Sequence, residues 1–135
     1  MSGAIQQSLQ RSLEQQRAAR AWQCVQAVKE KSWKRDYLQL AKSIPAIVQV
    51  NGLGQALAFL QSKGKKGDNE HARLAADVSR WVSSQLLREA RDDLIPWVTG
   101  QASAAEYRRA TVEALAFLTW LRRFAEAELD EEGER

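Results

Sequence analysis

Cysteine, proline and histidine are scarce in this sequence. Its 135 residues include one cysteine, Cys24, one histidine, His71, and two prolines. A single cysteine excludes an internal disulfide framework and fits a reducing cytoplasm. Because zinc sites need several converging cysteine, histidine or carboxylate ligands, the usual zinc-binding sets are excluded too. We therefore expect neither a metal nor a cofactor.

Long apolar runs and β-branched residues are also few. No run approaches the roughly 20 apolar residues of a membrane span, and residues 1–12 lack the apolar core of a signal peptide, so we expect a cytoplasmic protein. Valine, isoleucine and threonine total 15 residues, whereas leucine and alanine total 36, which favours helix over strand. The sequence therefore predicts one all-α domain over residues 1–135, a bundle of about five or six helices, with a disordered acidic tail from about residue 128.

Apolar side chains that recur every three or four residues indicate where the helices lie. The first helix is predicted over about Gln6–Lys31, and Ser32 is the expected N-cap of the second. Pro45 lacks a backbone donor and disfavours a helical conformation in the residue before it. We therefore expect a break near Ser43–Ile44, followed by a short helix over residues 45–50.

The second half of the chain carries clearer helix boundaries. A third helix is expected to stop at Gly64, and Asp68 is expected to cap a fourth. The segment Arg91–Ala102 indicates a connection that contains one helical turn. Ser103 and Glu106 fit the capping box of a last helix. The wide, aromatic-rich apolar stripe of that helix predicts that it lies at the centre of the core.

The stretch Val50–Phe59, VNGLGQALAF, contains a Gly-x-Gly of the kind found in phosphate-binding loops. A dinucleotide fingerprint needs a small third residue and a preceding strand, but here the third position holds Leu57 and no strand pattern precedes it. The P-loop alternative needs Gly-Lys-Ser/Thr, which does not follow. We interpret the segment as a joint between two helices, in which Asn51 caps, Gly52 supplies the turn and Gly54 allows close packing.

Residues able to carry catalysis are few and isolated. His71 has no nucleophile beside it and is expected on the surface, in the first turn of the fourth helix. Asp92 and Asp93 are expected to cap a turn, and Cys24 to be a buried, inert thiol. No enzymatic activity is predicted from this set. Core packing is the expectation for three of the five tryptophans, Trp22, Trp81 and Trp120.

Charge is divided along the chain. Residues 1–66 hold 11 lysines and arginines against 3 acids, a net charge of +8, whereas residues 67–135 hold 9 against 14, a net charge of −5. Lysines in loops and at helix ends neutralise phosphates without distinguishing bases, so these clusters predict sequence-independent binding to a nucleic-acid backbone. The alternative is an ordinary solvated surface. The residues predicted to bind the backbone are Arg17, Arg20, Lys29, Lys31, Lys34, Arg35, Lys63, Lys65 and Lys66.

A family resemblance rests on five short segments, Gln16–Ala18, Val25–Lys29, Lys34–Tyr37, Ile44–Pro45 and Asn51–Leu60. Together they resemble the small helical subunit of the type III-B CRISPR effector, the Cmr complex, over about residues 14–125. The resemblance implies a non-catalytic all-α subunit of an antiviral complex. Several copies would stack in an inner filament along the guide–target RNA duplex, beside the backbone and large subunits. Target RNA cleavage and second-messenger synthesis belong to other subunits in that family.

Two other functions stay open at this point. One is a free-standing helical protein-interaction module without nucleic-acid binding, whose lysine clusters are solvated surface. The other is an enzyme, such as a metal-dependent nuclease that uses His71 or the acids Asp92 and Asp93.

Overall fold

The computed structural model describes residues 2–130, with side chains from residue 12 onward. This part of the chain contains six helices, α1 (Ser2–Val28), α2 (Lys34–Asn51), α3 (Leu53–Lys63), α4 (Glu70–Leu86), α5 (Ile95–Gly100) and α6 (Ala104–Leu129), and no strand. The predicted all-α domain of five or six helices is confirmed. None of the helices in this part is long and apolar enough to cross a membrane. Most of the predicted acidic tail, residues 131–135, lies outside the described residues.

The last helix, α6, lies at the centre of the bundle, as predicted. It packs against α1, α2 and α4. Phe117 and Leu121 are fully buried on it, and the Phe117 ring stacks on Trp81 of α4 with ring centroids 5.8 Å apart. Each fully buried side chain of this size contributes about 1.5–3 kcal/mol to folding, so α6 organises much of the core.

Helices α1 and α6 lie side by side and run in the same direction, as three contacts along their length show. Arg17 hydrogen-bonds to Glu113, the Trp22 ring lies 5.2 Å from that of Phe124, and Lys29 lies 3.2 Å from Glu128. The carboxyl ends of both helices therefore lie at the same end of the molecule. The basic and acidic halves of the sequence are consequently not separate halves of the structure.

Helix α2 is unbroken from Lys34 to Asn51 with Pro45 inside it, so the break predicted near Ser43–Ile44 is wrong. A proline inside a helix costs about 3 kcal/mol. Ile44 and Val48, on either side of it, are 1% and 3% exposed, and burying two such side chains contributes about 4 kcal/mol. Burial on both sides of the proline thus holds the helix together.

Asn69, rather than the predicted Asp68, caps α4. The Oδ1 atom of Asn69 accepts a hydrogen bond from the backbone N–H of Ala72 at 2.9 Å. The carboxylate of Asp68 lies instead 3.4 Å from the Nζ atom of Lys31, in the turn after α1. Aspartate and asparagine are both good N-cap residues. Here the side chain of Asp68 contacts Lys31, and Asn69 forms the cap.

The other helix boundaries agree with the sequence to within a few residues. α1 ends at Val28, three residues earlier than expected, and the N-cap of α2 is Trp33 instead of Ser32. α3 stops at Gly64 and α5 supplies the helical turn expected between residues 91 and 102. Ser103 forms the predicted capping box with Glu106, in which each residue bonds to the backbone N–H of the other.

The Gly-x-Gly segment joins α2 to α3, which confirms its interpretation as a helix joint. Gly52 has φ +94°, a left-handed conformation that favours glycine, and it is the N-cap of α3. Asn51 is the last residue of α2, so its predicted role as the cap is wrong. The backbone N–H of Gly54 donates to Tyr107 Oη at 2.8 Å, and a Cβ at this position would lie 3.2 Å from the same oxygen. The two glycines therefore bring the joint close to α6.

Candidate nucleic-acid interface

Two basic clusters that are separate in the sequence lie together at one end of the bundle. The turn after α1 and the loop after α3 are joined by the ion pair between Lys31 and Asp68, 3.4 Å apart. The side-chain amide of Asn69 also donates to the carbonyl of Lys63 at 3.1 Å, which ties the loop to the start of α4. We call residues 29–35 and 63–66 the basic end.

The lysines at the end of α3 and in the α3–α4 loop are accessible cations of the basic end. Lys63, Lys65 and Lys66 are all exposed. Within residues 12–130, none of the three takes part in an ion pair with a carboxylate. Exposed ammonium groups without a carboxylate partner exchange water and counterions freely, which is the property that phosphate neutralisation requires.

The cations of the α1–α2 turn are more constrained. Lys29 lies 3.2 Å from Glu128 near the end of α6, and Lys31 lies 5.8 Å from the ring centroid of Trp33 in addition to its pair with Asp68. Lys34 and Arg35 form the first turn of α2, where Arg35 is exposed and Lys34 half-buried. Surface pairs of this kind are weak, so Lys29 and Lys31 can exchange a carboxylate for a phosphate at little cost.

Arg17 lies away from the basic end and is held inside the structure. Its guanidinium donates two hydrogen bonds to Glu113, at 2.7 and 2.9 Å, and a third to Glu14 at 3.0 Å. Glu113 also accepts from Trp81 Nε1 at 2.9 Å. Burial raises the pKa of Glu113, but the hydrogen bonds from Arg17 and Trp81 outweigh it, and the net pKa is lowered. With its side chain 16% exposed, Arg17 links α1 to α6, and its predicted contact with a nucleic-acid backbone stays a prediction.

Arg20 lies in a different setting, beside two arginines that were not predicted from the sequence to bind nucleic acid. Together with Arg73 and Arg80 of α4, it lines a cleft of about 230 Å³ between α1 and α4. The arginines of α4 are seven residues apart, which places them on one face of the helix. That spacing is the only sequence signal that could have singled them out, and neither arginine belongs to a run of basic residues.

A buried polar cluster forms the floor of this cleft. Tyr37 Oη donates to Asp77 Oδ2 at 2.7 Å, and Arg73 Nε lies 3.6 Å from Asp77 Oδ1. Burial raises the pKa of Asp77, of Tyr37 and of the neighbouring Cys24 thiol. Cys24 is 7% exposed, so the expectation that this thiol is buried is confirmed, and burial with a raised pKa disfavours the reactive thiolate.

The residues considered for catalysis lie apart from one another. His71 is half-buried, with its ring edge-on to Phe59 at 5.8 Å and its Nδ1 atom 3.2 Å from Glu70. Asp93 accepts from the backbone N–H of Ile95 at 3.0 Å, so its predicted role as a turn cap is confirmed, while Asp92 pairs with Arg80. Among the described residues, no three histidine, cysteine or acidic side chains are grouped so as to hold a metal ion.

The tryptophans are less uniformly buried than expected. Trp81 is 3% exposed and lies in the core as predicted, and Trp120 is half-buried. Trp22 is 43% exposed, so the prediction that it packs in the core is wrong. It lies on the outer flank of α1, where its ring meets Phe124 edge-on. The apolar stripe of α1 is buried without it, through Ala21, Val25 and Val28.

The fold and this surface define a small all-α protein with a polycationic end. Comparison with known proteins gives the family. Residues 13–128 match the family described as CRISPR-associated protein (Cas_Cmr5). The CRISPR system Cmr subunit Cmr5 of Thermus thermophilus is 32% identical over 114 residues, which cover 84% of this chain and 93% of that protein. The crystal structure of a CRISPR-associated Cmr5 family protein from the same species superposes with a TM-score of 0.71 at 29% identity, covering 87% of this chain and 97% of the other.

The chain belongs to the Cas_Cmr5 family. Cmr5 is a small subunit of the type III-B Cmr complex, so the resemblance drawn from the five sequence segments is confirmed.

Proposed function

We propose that this chain is a non-catalytic small subunit of a cytoplasmic type III-B RNA-guided effector that serves in antiviral defence. Several copies stack in the inner filament of the complex, and the basic end supports the guide–target RNA through sequence-independent contacts. One observation carries the RNA part of this proposal. The exposed lysines 63, 65 and 66 lie beside the basic turn of residues 29–35, as the 3.4 Å contact between Lys31 and Asp68 shows.

The chemistry of the basic end suits a phosphate backbone rather than base edges. Lysine is a strongly hydrated point charge on a flexible stem, without the fixed donor geometry that distinguishes one base from another. Because such contacts release counterions, they give binding that weakens steeply with salt and depends little on sequence. A subunit that supports many different guides needs this property.

Other surfaces of the chain are suited to protein partners. Among residues 12–130, three large apolar side chains are exposed, Trp22 at 43%, Val50 at 82% and Val112 at 67%. Aromatic and apolar side chains at the surface, surrounded by polar residues, are typical of protein–protein contacts. We assign these faces to neighbouring copies and to the backbone and large subunits of the complex.

Replacing Lys63, Lys65 and Lys66 together by glutamine is expected to weaken RNA binding about tenfold, equally for different RNA sequences. The slope of log K against log salt concentration should flatten by about 2, since each contact with a single strand contributes about 0.7. Fluorescence anisotropy with labelled single-stranded RNAs of unrelated sequence, over a range of salt concentrations, measures both quantities.

The matched control replaces Arg88, Arg108 and Arg109 by glutamine. These three arginines are exposed and lie at the opposite end of the bundle, at the end of α4 and the start of α6. The control removes the same charge and should change the affinity about twofold at most. An unchanged salt slope in the lysine variant, or an equal loss in both variants, would contradict a specific role of the basic end.

A further inference from the structure

The arginine cleft between α1 and α4 carries more positive charge than its neighbours neutralise. Within residues 12–130, Arg20 has no carboxylate within ion-pair distance, and its guanidinium lies 6.0 Å from the ring centroid of Trp81. Asp77 accepts a hydrogen bond from Tyr37, and the Nε atom of Arg73 lies 3.6 Å from Asp77 Oδ1, which is long for an ion pair. Arg80 pairs only with an exposed aspartate, and its own side chain is 53% exposed. All three guanidinium groups therefore retain donors for an anion.

The cleft is continuous with the basic end. Ala27 lines it and lies two residues before Lys29, while Arg73 lies one helical turn after the cap of α4 at Asn69. In the other direction the cleft shares Arg20 and Gln23 with a second recess of about 350 Å³. From Ala27 to Gln16 the groove follows about 16 Å of α1.

The lining of the groove favours a sugar–phosphate backbone over bases. Guanidinium groups bind phosphates with two parallel hydrogen bonds, which a lysine cannot do. Beyond the arginines the second recess is lined by amides and a hydroxyl, the groups that contact phosphate and ribose oxygens, from Gln16, Gln23, Ser84 and Gln85. Trp81, which lines the second recess, is 3% exposed, and Tyr37 beneath the cleft is fully buried, so neither ring has a face on which a base can stack.

We propose that the α1–α4 groove binds the sugar–phosphate backbone of one RNA strand, with Arg20, Arg73 and Arg80 holding its phosphates next to the basic end. The inference rests on the proposed function. It extends the RNA-binding surface from the lysines of the α3–α4 loop along the α1–α4 groove, which we call the RNA track.

The test is a double replacement of Arg20 and Arg80 by glutamine in the full chain, measured by anisotropy with a single-stranded RNA of about 20 nucleotides. Neither arginine is buried, so the fold should survive, which circular dichroism verifies. We expect the Kd to rise about tenfold or more, and the salt slope to flatten by about 1.4 for the two lost contacts. Replacing both arginines by lysine keeps the charge but removes the paired hydrogen bonds of the guanidinium group. The affinity for RNA should therefore fall severalfold, with the salt slope nearly unchanged.

The double replacement of Arg108 and Arg109 by glutamine is the matched control, and it should leave the Kd within about twofold of the original. If the Arg20/Arg80 variant binds RNA as the original chain does, while the lysine variant of the basic end does not, the track is refuted and the proposed function stands. If the original chain binds no RNA even at low salt, both the groove proposal and the RNA-supporting role of the basic end are refuted. Recovery of the chain with the other effector subunits would then still place it in the complex.

A second experiment distinguishes a groove that binds an RNA strand from a pocket that binds a small phosphate compound. Inorganic phosphate and adenosine monophosphate are titrated against the preformed RNA complex. We expect displacement only at millimolar concentrations, because a single phosphate cannot occupy the several contacts of the groove. Displacement by either compound at concentrations similar to that of the RNA would contradict the track and assign the cleft to a free nucleotide or phosphate.

Discussion

Replacing Glu113 by alanine is expected to lower the free energy of unfolding by about 4 kcal/mol. The Glu113 carboxylate accepts hydrogen bonds from Arg17 of α1 and Trp81 of α4, so it joins three helices at one point. The side chains of Glu113 and Arg17 are only 11% and 16% exposed. Without the carboxylate, the partly buried Arg17 guanidinium keeps only its bond to Glu14, and the Trp81 indole N–H loses its partner, which costs more than the interactions contribute when they are intact.

Urea unfolding at neutral pH measures this effect, as a shift of the midpoint at constant slope. The control is Glu126→Ala, which removes a carboxylate from the same helix and breaks a pair with Arg122 whose side chains are 36% and 50% exposed. That change should cost no more than about 0.5 kcal/mol. Equal losses in the two variants would show that Glu113 does not act as a buried joint.

The contribution of Glu113 should also depend on pH. Its hydrogen bonds with Arg17 and Trp81 outweigh burial and lower its pKa below the ordinary glutamate value of 4.5. The stability that depends on the carboxylate is therefore fully present above pH 4.5 and is lost as the pH falls through the lowered pKa. The difference in unfolding free energy between the original chain and Glu113→Gln should accordingly be largest near neutral pH and shrink in acid. A difference that is constant with pH would contradict this assignment.

Replacing Phe117 by alanine is expected to lower the unfolding free energy by a similar amount, about 4 kcal/mol. Phe117 is fully buried at the centre of α6, and its ring stacks on Trp81, so truncation loses the transfer energy and leaves a cavity that close-packed neighbours fill only in part. The tryptophan emission should change with the variant, since Trp81 loses its aromatic neighbour.

Val112→Ala is the matched control for this second prediction. Val112 is on the same helix but 67% exposed, and its truncation should change the unfolding free energy by no more than about 0.5 kcal/mol. A loss below about 1 kcal/mol for Phe117→Ala would mean that α6 is not the centre of the core.

The sequence predicts the fold best where the determining interactions are local. The capping box at Ser103 and the end of α3 at Gly64 depend on residues within one helical turn, and both predictions are confirmed. The break predicted at Pro45 is wrong because burial of Ile44 and Val48 outweighs a local penalty. The exposure of Trp22 likewise depends on which flank of α1 meets α6, which helical periodicity alone does not determine.

In the candidate site, too, the parts that lie within one segment could be predicted from the sequence, and the contacts between distant segments could not. The basic turn and the basic loop are visible in the sequence as runs of cations, but their adjacency, seen in the contact between Lys31 and Asp68, depends on the tertiary fold. Arg17 lies on α1, the helix that precedes the basic turn. Its partner Glu113 is 96 residues away, so no local sequence pattern predicts their contact. Arg73 and Arg80 become part of a site only because α1 and α4 lie on either side of a groove.

The central claim is that this chain works as an RNA-supporting subunit of a type III-B effector. Purifying the tagged chain from its native cells, and identifying the proteins and RNA that accompany it, tests the claim most directly. We expect recovery of the large and backbone subunits of a CRISPR effector together with short guide RNAs. Recovery of the chain alone, or with unrelated proteins and no RNA, would contradict it.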